Sequence, residues 1–147
     1  MNSMNRSSLA FRPQPRQDEP ERRSEVVTFI NGLPGFEACR GFVLLAAEHG
    51  GLQHLESVEG PPASFLVVDP RRVQPGYRCQ LSAADRLALK AGEDETLLWL
   101  ALVTVEADGT VVVNLRAPVV INPAQMLGQQ VIPYESLYPL RHVLLKG

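Results

Sequence analysis

The stretch Val111–Asn122, VVVNLRAPVVIN, constrains the fold more than any other part of this chain. Val111, Val113 and Leu115 alternate with Val112, Asn114 and Arg116, and a period of two sends successive side chains to opposite faces of a strand. Pro118 has no N–H to give to a ladder, so a break or an edge is expected there, before a second short strand, Val119–Ile121. Asn122-Pro123 closes the stretch, because a residue before proline is pushed to extended or turn geometry. Asn114 is the polar exception. Its amide has two donors and an acceptor, and bonding to a neighbouring loop is the ordinary fate of such a group. Nothing in the stretch is a catalytic pattern.

Short β-branched and aromatic runs flank it, punctuated by turn residues. The pattern predicts strands at Glu25–Ile30, Gly41–Ala47, Leu52–Val58, Ser64–Val68, Tyr77–Leu81, Thr96–Val105 and Gly128–Ile132. Turns are expected at Asn31–Gly35, His49–Gly51, Gly60–Pro62, Pro75-Gly76 and Ala107–Gly109, where glycine supplies positive φ and proline a fixed one. Such spacing suggests a sandwich or barrel. One short helix interrupts it. Ser82 can cap, Asp85 lies three residues on, Gly92 can supply a left-handed stop, and Ala84, Leu87, Ala88 and Ala91 form an apolar face. Tyr134–Leu145 alternates poorly and contains Pro139, so it reads as irregular. The expected architecture is all-β, a compact barrel-like antiparallel domain with one short helix.

At 147 residues the chain is one domain by length, able to bury roughly 70% of its unfolded surface. Residues 1–24 are rich in Arg, Pro, Ser and Gln. That composition cannot repay the entropy of ordering, so a disordered tail is expected, with residues 25–147 as the β-barrel domain. The tail carries five arginines against Asp18, Glu19 and Glu21, a net +2; the remainder carries nine basic and thirteen acidic side chains, a net −4. An acidic body without a basic stripe argues against direct nucleic-acid binding and suits a basic protein partner. The first residues lack the apolar run of a signal peptide. The longest apolar run, Leu97–Val103, is far short of the roughly 20 residues that span a bilayer. A cytoplasmic protein, not a membrane protein, is expected.

Cys39 and Cys79 stand forty residues apart and match no metal or redox spacing; free thiols in a reducing compartment are the default. His49, His54 and His142 pair with no second ligand at helical spacing, whereas zinc takes three or four. Ser57, Asp69 and His142 lack the glycines of a nucleophile elbow. Gly32-Leu33-Pro34-Gly35 is followed by no Lys-Ser or Lys-Thr, so it is no phosphate loop. No catalysis, metal or cofactor is expected.

Several segments together resemble the FliW family of flagellar assembly factors: Gly32–Glu37, Phe65–Pro70, Val103–Val105, Asn114–Asn122 and Gly128–Ile132. Their order covers about residues 26–143. The resemblance implies a barrel-like β fold, no catalysis, and two protein partners. One is the carbon storage regulator CsrA, a basic RNA-binding repressor of flagellin translation; the other is flagellin, which titrates the factor away from CsrA. A monomer is expected when free. The chain departs from the family in its tail and in the loop Ala124–Gly128, which carries Met126 and Leu127 where polar residues are usual. Candidate partner contacts are the acidic corner Glu93-Asp94-Glu95 with Glu56 and Glu59 for CsrA, and Met126 and Leu127 for the apolar face of flagellin. Met126 and Leu127 could equally fold back onto the barrel end. In the alternative reading, the domain is a small-ligand or enzyme-accessory barrel with Asn114 and Arg116 at its mouth.

Overall fold

The computed structural model describes residues 25–46, 51–133 and 135–147. The strands are β1 (Val27–Phe29), β2 (Gly41–Ala46), β3 (Leu52–Ser57), β4 (Ser64–Val68), β5 (Leu98–Val105), β6 (Val111–Asn122), β7 (Leu127–Gln130) and β8 (His142–Leu145). Two short helices, α1 (Pro70–Val73) and α2 (Ala83–Leu89), lie between β4 and β5. The sheet order is β5-β4-β3-β2-β1-β7-β6-β8, and β5 also pairs with β6. That last pairing closes seven strands into a barrel, with β8 appended to the outside of the first half of β6. Every pairing is antiparallel except β1 with β7. The tail expected at residues 1–24 and the residues His49 and Gly50 of one expected turn lie outside the described residues.

Alternation sorts the apolar side chains into an interior and two outer layers. Phe29, Phe42, Leu55, Val67, Leu100 and Val119 are fully buried in one cluster inside the barrel, with Leu98 and Leu102 packed against it. Phe29 and Phe42 meet edge-on with ring centroids 5.1 Å apart, a favoured aromatic geometry. Gly128 is what lets β7 approach: a Cβ there would stand 2.7 Å from the Phe29 ring. The odd-numbered residues of β5 face outward. Ala101 and Val103 pack with Val68, Val113, Leu115 and Tyr77, and Trp99 packs beside Leu89, Val120 and Val131. The second half of β6 is thus covered on both faces, by the barrel core and by α2.

Several local expectations are corrected. The break expected in the pairing at Pro118 is present, but it does not divide two strands, since β6 runs unbroken through it. The partner register shifts: Leu100 faces Val119 but Leu102 faces Asn114, so Leu115–Pro118 stand opposite Ala101 alone. The bulge survives because each of its N–H groups finds an acceptor. Leu115 donates to the Pro139 carbonyl; Arg116 and Ala117 both donate to Asn114 Oδ1 at 3.0 Å; Pro118 has none to place. Asn114 therefore bonds its own strand and not a neighbouring loop. Beyond the bulge, β6 changes partner, from β8 at Val111–Val113 to β7 at Val119–Asn122.

A second helix, α1, stands beside the one short helix expected: Asp69 caps it by accepting from Arg71 N, and Pro70 takes the first turn. Tyr77–Leu81 joins no ladder. It is held by side chains, through Tyr77 OH to the Leu115 carbonyl at 2.8 Å and Tyr138 OH accepting from Arg78 N at 2.9 Å. The left-handed stop of α2 is Lys90, with φ 53°, not Gly92. The buried residue of α2 is Leu89, while Leu87 of the expected apolar face is 81% exposed. The C-terminal segment, read as irregular, supplies β8, and the strand expected at Gly128–Ile132 is β7, Leu127–Gln130.

Candidate functional site

The acidic candidates do not form one patch. β3 and β5 run in the same direction, each antiparallel to β4. Glu56 and Glu59 lie where β3 ends, and Glu93–Glu95 lie just before β5 begins, so the two groups occupy opposite ends of the barrel. Glu59, Glu93 and Asp94 are exposed, and Glu56 and Glu95 are half-buried. Glu95 is already engaged. Its Oε1 accepts from Gly92 N at 2.9 Å and from Asn122 Nδ2 at 3.2 Å. Asn122, fully buried, also donates to the Leu89 carbonyl at 2.8 Å and accepts from Ala124 N. The end of β6 is thereby clamped to the end of α2.

Asn114 and Arg116 are likewise occupied by local structure. Arg116 Nε donates to the Tyr138 carbonyl at 2.8 Å, which ties the C-terminal segment to the bulge. Met126 has φ 53° and packs half-buried against the interior cluster, and Leu127 packs against the cluster beneath α2. Both residues lean back onto the barrel.

A run of exposed apolar residues near β8 was not anticipated from the sequence. Ile132, Leu137, Leu140, Val143, Leu144 and Leu145 are all exposed, Leu137 at 95%, and Val105 is exposed on the strand that flanks Val111 from the other side. Among the described residues, β8 pairs with β6 alone, so its second edge presents free backbone groups. An apolar edge strand of this kind is a template for another chain, and contiguous exposed apolar surface marks interaction sites on monomers. The available signal was the run Val143-Leu144-Leu145. With no polar residue to alternate against, it carried no period.

Ionisable groups on this side serve as struts. Arg141 makes two bonds to the Glu106 carboxylate, at 2.7 and 2.6 Å, and that guanidinium holds the Glu106 carboxyl below its ordinary range. Burial raises the Tyr77 phenol well above its ordinary value, reinforced by Cys79 and Tyr138; burial also raises the Cys79 thiol. A neutral, half-buried thiol is a poor nucleophile. Among the described residues, no cluster of three or more His, Cys, Asp or Glu is placed to hold a metal. No described helix is long and apolar enough to cross a membrane.

Known proteins share both the sequence and this barrel. A family model described as "FliW protein" matches residues 17–144. The flagellar assembly factor FliW of Natranaerobius thermophilus is 36% identical over 123 residues, covering 82% of this chain and 82% of that protein. The factor of the same name from Syntrophotalea carbinolica is 38% identical over 119 residues, covering 80% and 85%. A crystal structure of the flagellar assembly factor FliW superposes with a TM-score of 0.76 at 32% identity, covering 83% of this chain and 86% of the other.

This chain belongs to the FliW family.

The segments that carry its resemblance to FliW proteins mainly hold the fold. A Cβ on Gly32 would stand 2.7 Å from the Glu37 backbone, and Gly32 and Gly35 both have positive φ. Phe65–Pro70 is the end of β4 with the cap of α1. Asn114–Asn122 contains the bulge and the clamp. These FliW motifs therefore supply turns, a helix cap, a bulge and a clamp to the barrel.

Proposed function

We propose that this FliW-family protein acts in the cytoplasm by binding two proteins in turn, the basic regulator CsrA and flagellin, and so couples flagellin translation to flagellin export. The observation that carries the reading is the exposed apolar surface of Ile132, Leu137, Leu140 and Val143–Leu145, with a strand edge that is unpaired among the described residues. Flagellin segments that are unsatisfied before assembly have apolar faces to place against such a surface. The acidic body suits CsrA, with Glu93, Asp94, Glu56 and Glu59 as rim contacts; rim charges mainly set association rate. Glu95 is less available, because it already accepts two hydrogen bonds. The flagellin contact is placed on Leu137 and Leu144 ahead of the half-buried Met126 and Leu127. The protein itself is expected to be a monomer when free and not to bind RNA directly.

The test is capture of purified CsrA and purified flagellin by the immobilised full chain. Both should be retained. A Leu137→Asp, Leu144→Asp variant should lose flagellin and keep CsrA, and Glu93→Lys, Asp94→Lys should slow CsrA association while sparing flagellin. Failure to retain either protein would overturn the reading.

A further inference from the structure

A groove of about 510 Å³ opens on the outer face of β5, lined by Arg71, Tyr77, Arg78, Cys79, Gln80 and Trp99. None of its lining residues is among those offered above for CsrA or flagellin, and Tyr138, next to Leu137, braces its wall from outside. Its wall exists because residues 77–81 join no ladder and are instead held off the sheet by side chains. Tyr77 OH donates to the Leu115 carbonyl, Tyr138 OH accepts from Arg78 N, and the two tyrosine rings pack tilted at 31° with centroids 4.5 Å apart. Trp99 is the half-buried aromatic lining residue, and it projects outward from β5 beside the α2 layer.

The groove is basic on an acidic body. Arg71 is balanced by Asp69, with Nη2 to Oδ2 at 3.0 Å and Nε to Oδ1 at 3.2 Å. Arg78 differs. Its backbone N–H is used, but among the described residues its exposed guanidinium makes no hydrogen bond or ion pair. A planar guanidinium with open donors is a carboxylate receptor, and an indole face beside it accepts an apolar or aromatic group. The volume is that of a small ligand or one to two side chains. Phosphate chemistry fits less well: a single uncommitted cation, with no lysine and no glycine-rich cradle in the lining, is a poor site for a phosphate group.

We propose that this groove binds an acidic side chain together with an adjacent aromatic or aliphatic one, presented by an exposed peptide segment of a partner protein. Arg78 takes the carboxylate, Trp99 takes the apolar neighbour, and Gln80 supplies an amide at the rim.

Trp99 is the only tryptophan of the chain, so its emission reports the groove directly. The full-length protein is titrated, without CsrA or flagellin, with the blocked tripeptide acetyl-Glu-Phe-Glu-amide, its neutral isostere acetyl-Gln-Phe-Gln-amide, and adenosine monophosphate. The acidic peptide should give a saturable change in emission that weakens with added salt, and the isostere should bind much more weakly. Arg78→Gln should raise the dissociation constant about tenfold, the worth of one charge-assisted hydrogen bond. Its circular dichroism should be unchanged, since among the described residues the guanidinium has no partner to lose. Arg40→Gln, on the β1–β2 connection, should leave binding unaltered. Iodide quenching of Trp99 should fall in Arg78→Gln while acrylamide quenching stays the same. Equal binding of the two peptides, tighter binding of the nucleotide, an absent saturable signal, or an Arg78→Gln variant that binds as the parent does would each overturn the proposal. None of these readouts depends on CsrA or flagellin.

Discussion

Two buried side chains decide how this barrel holds its outer layers. Tyr77 is buried with its hydroxyl on the Leu115 carbonyl at 2.8 Å, and burial holds its phenol well above the ordinary 10.0. The native state therefore keeps the proton more tightly than the unfolded chain. This contribution is fully present below about pH 10 and is lost as pH rises from the unfolded value through the folded one. Tyr77→Phe should lose about 1 kcal/mol at neutral pH for the missing hydrogen bond and should show a shallower decline in alkali. Urea midpoints from pH 8 to 11 for both proteins measure the difference; parallel curves would refute the assignment. Asn122 is the second such residue. Its Nδ2 serves the Leu89 carbonyl, the Lys90 carbonyl and Glu95 Oε1. Asn122→Ala would strand buried acceptors, at a cost of about 2–3 kcal/mol, visible as a lower urea midpoint with an unchanged slope.

At the scale of elements, periodicity located most strands and failed where a neighbour, not the segment itself, decides the outcome. Ser64–Val68 coincides with β4 residue for residue, and the hairpin at Ala107–Gly109 forms as expected, with Gly109 at φ 90°. Tyr77–Leu81 has strand-forming residues yet no strand to pair with, so hydrogen bonds from two tyrosines shape it instead. The helix α2 shows the same dependence. Seven residues are too few for a heptad template to locate a face, and the Asn122 clamp draws Leu89 inward while leaving Leu87 in solvent. Leu87→Lys should accordingly change stability by no more than about 0.5 kcal/mol, whereas Leu89→Ala should cost about 2–5 kcal/mol. Thermal melts of the two variants would distinguish this face from the one the spacing implied. The candidate site was less legible than the fold. Charges and loop residues drew attention to Glu93–Glu95, Asn114 and Met126, but Glu95, Asn114 and Met126 proved to be committed to local structure. The exposed apolar strip carried no pattern at all. Solvent exposure is set by what the rest of the chain leaves uncovered, and no local window records it.

For the whole molecule, the separation of the proposed surfaces would govern how the two proposed partners communicate. The proposed CsrA contacts, Glu93 and Asp94 before β5 and Glu56 and Glu59 where β3 ends, sit at opposite barrel ends, whereas the proposed flagellin contact uses Ile132, Leu137, Leu140 and Val143–Leu145. Simple overlap of footprints is one route to exclusion, and coupling through the fold is another. A physical connection for the second exists. Arg116 Nε on the Tyr138 carbonyl, Leu115 N on the Pro139 carbonyl, and Tyr138 OH on Arg78 N tie the C-terminal segment to β6 and to the wall of the groove. Under either route, linkage requires that flagellin weaken CsrA binding by the same factor by which CsrA weakens flagellin binding. The routes separate in Arg116→Gln, which loosens the tether without removing an exposed apolar residue. Coupling through the fold predicts that this variant retains both partners singly but shows a smaller mutual effect, whereas footprint overlap predicts an unchanged one. Calorimetric titration of each partner into protein saturated with the other supplies both factors. Unequal factors would show that a third equilibrium, such as self-association of flagellin, contributes to the measurement. Two factors of one, with a stable complex of all three proteins, would end the exchange reading for this chain.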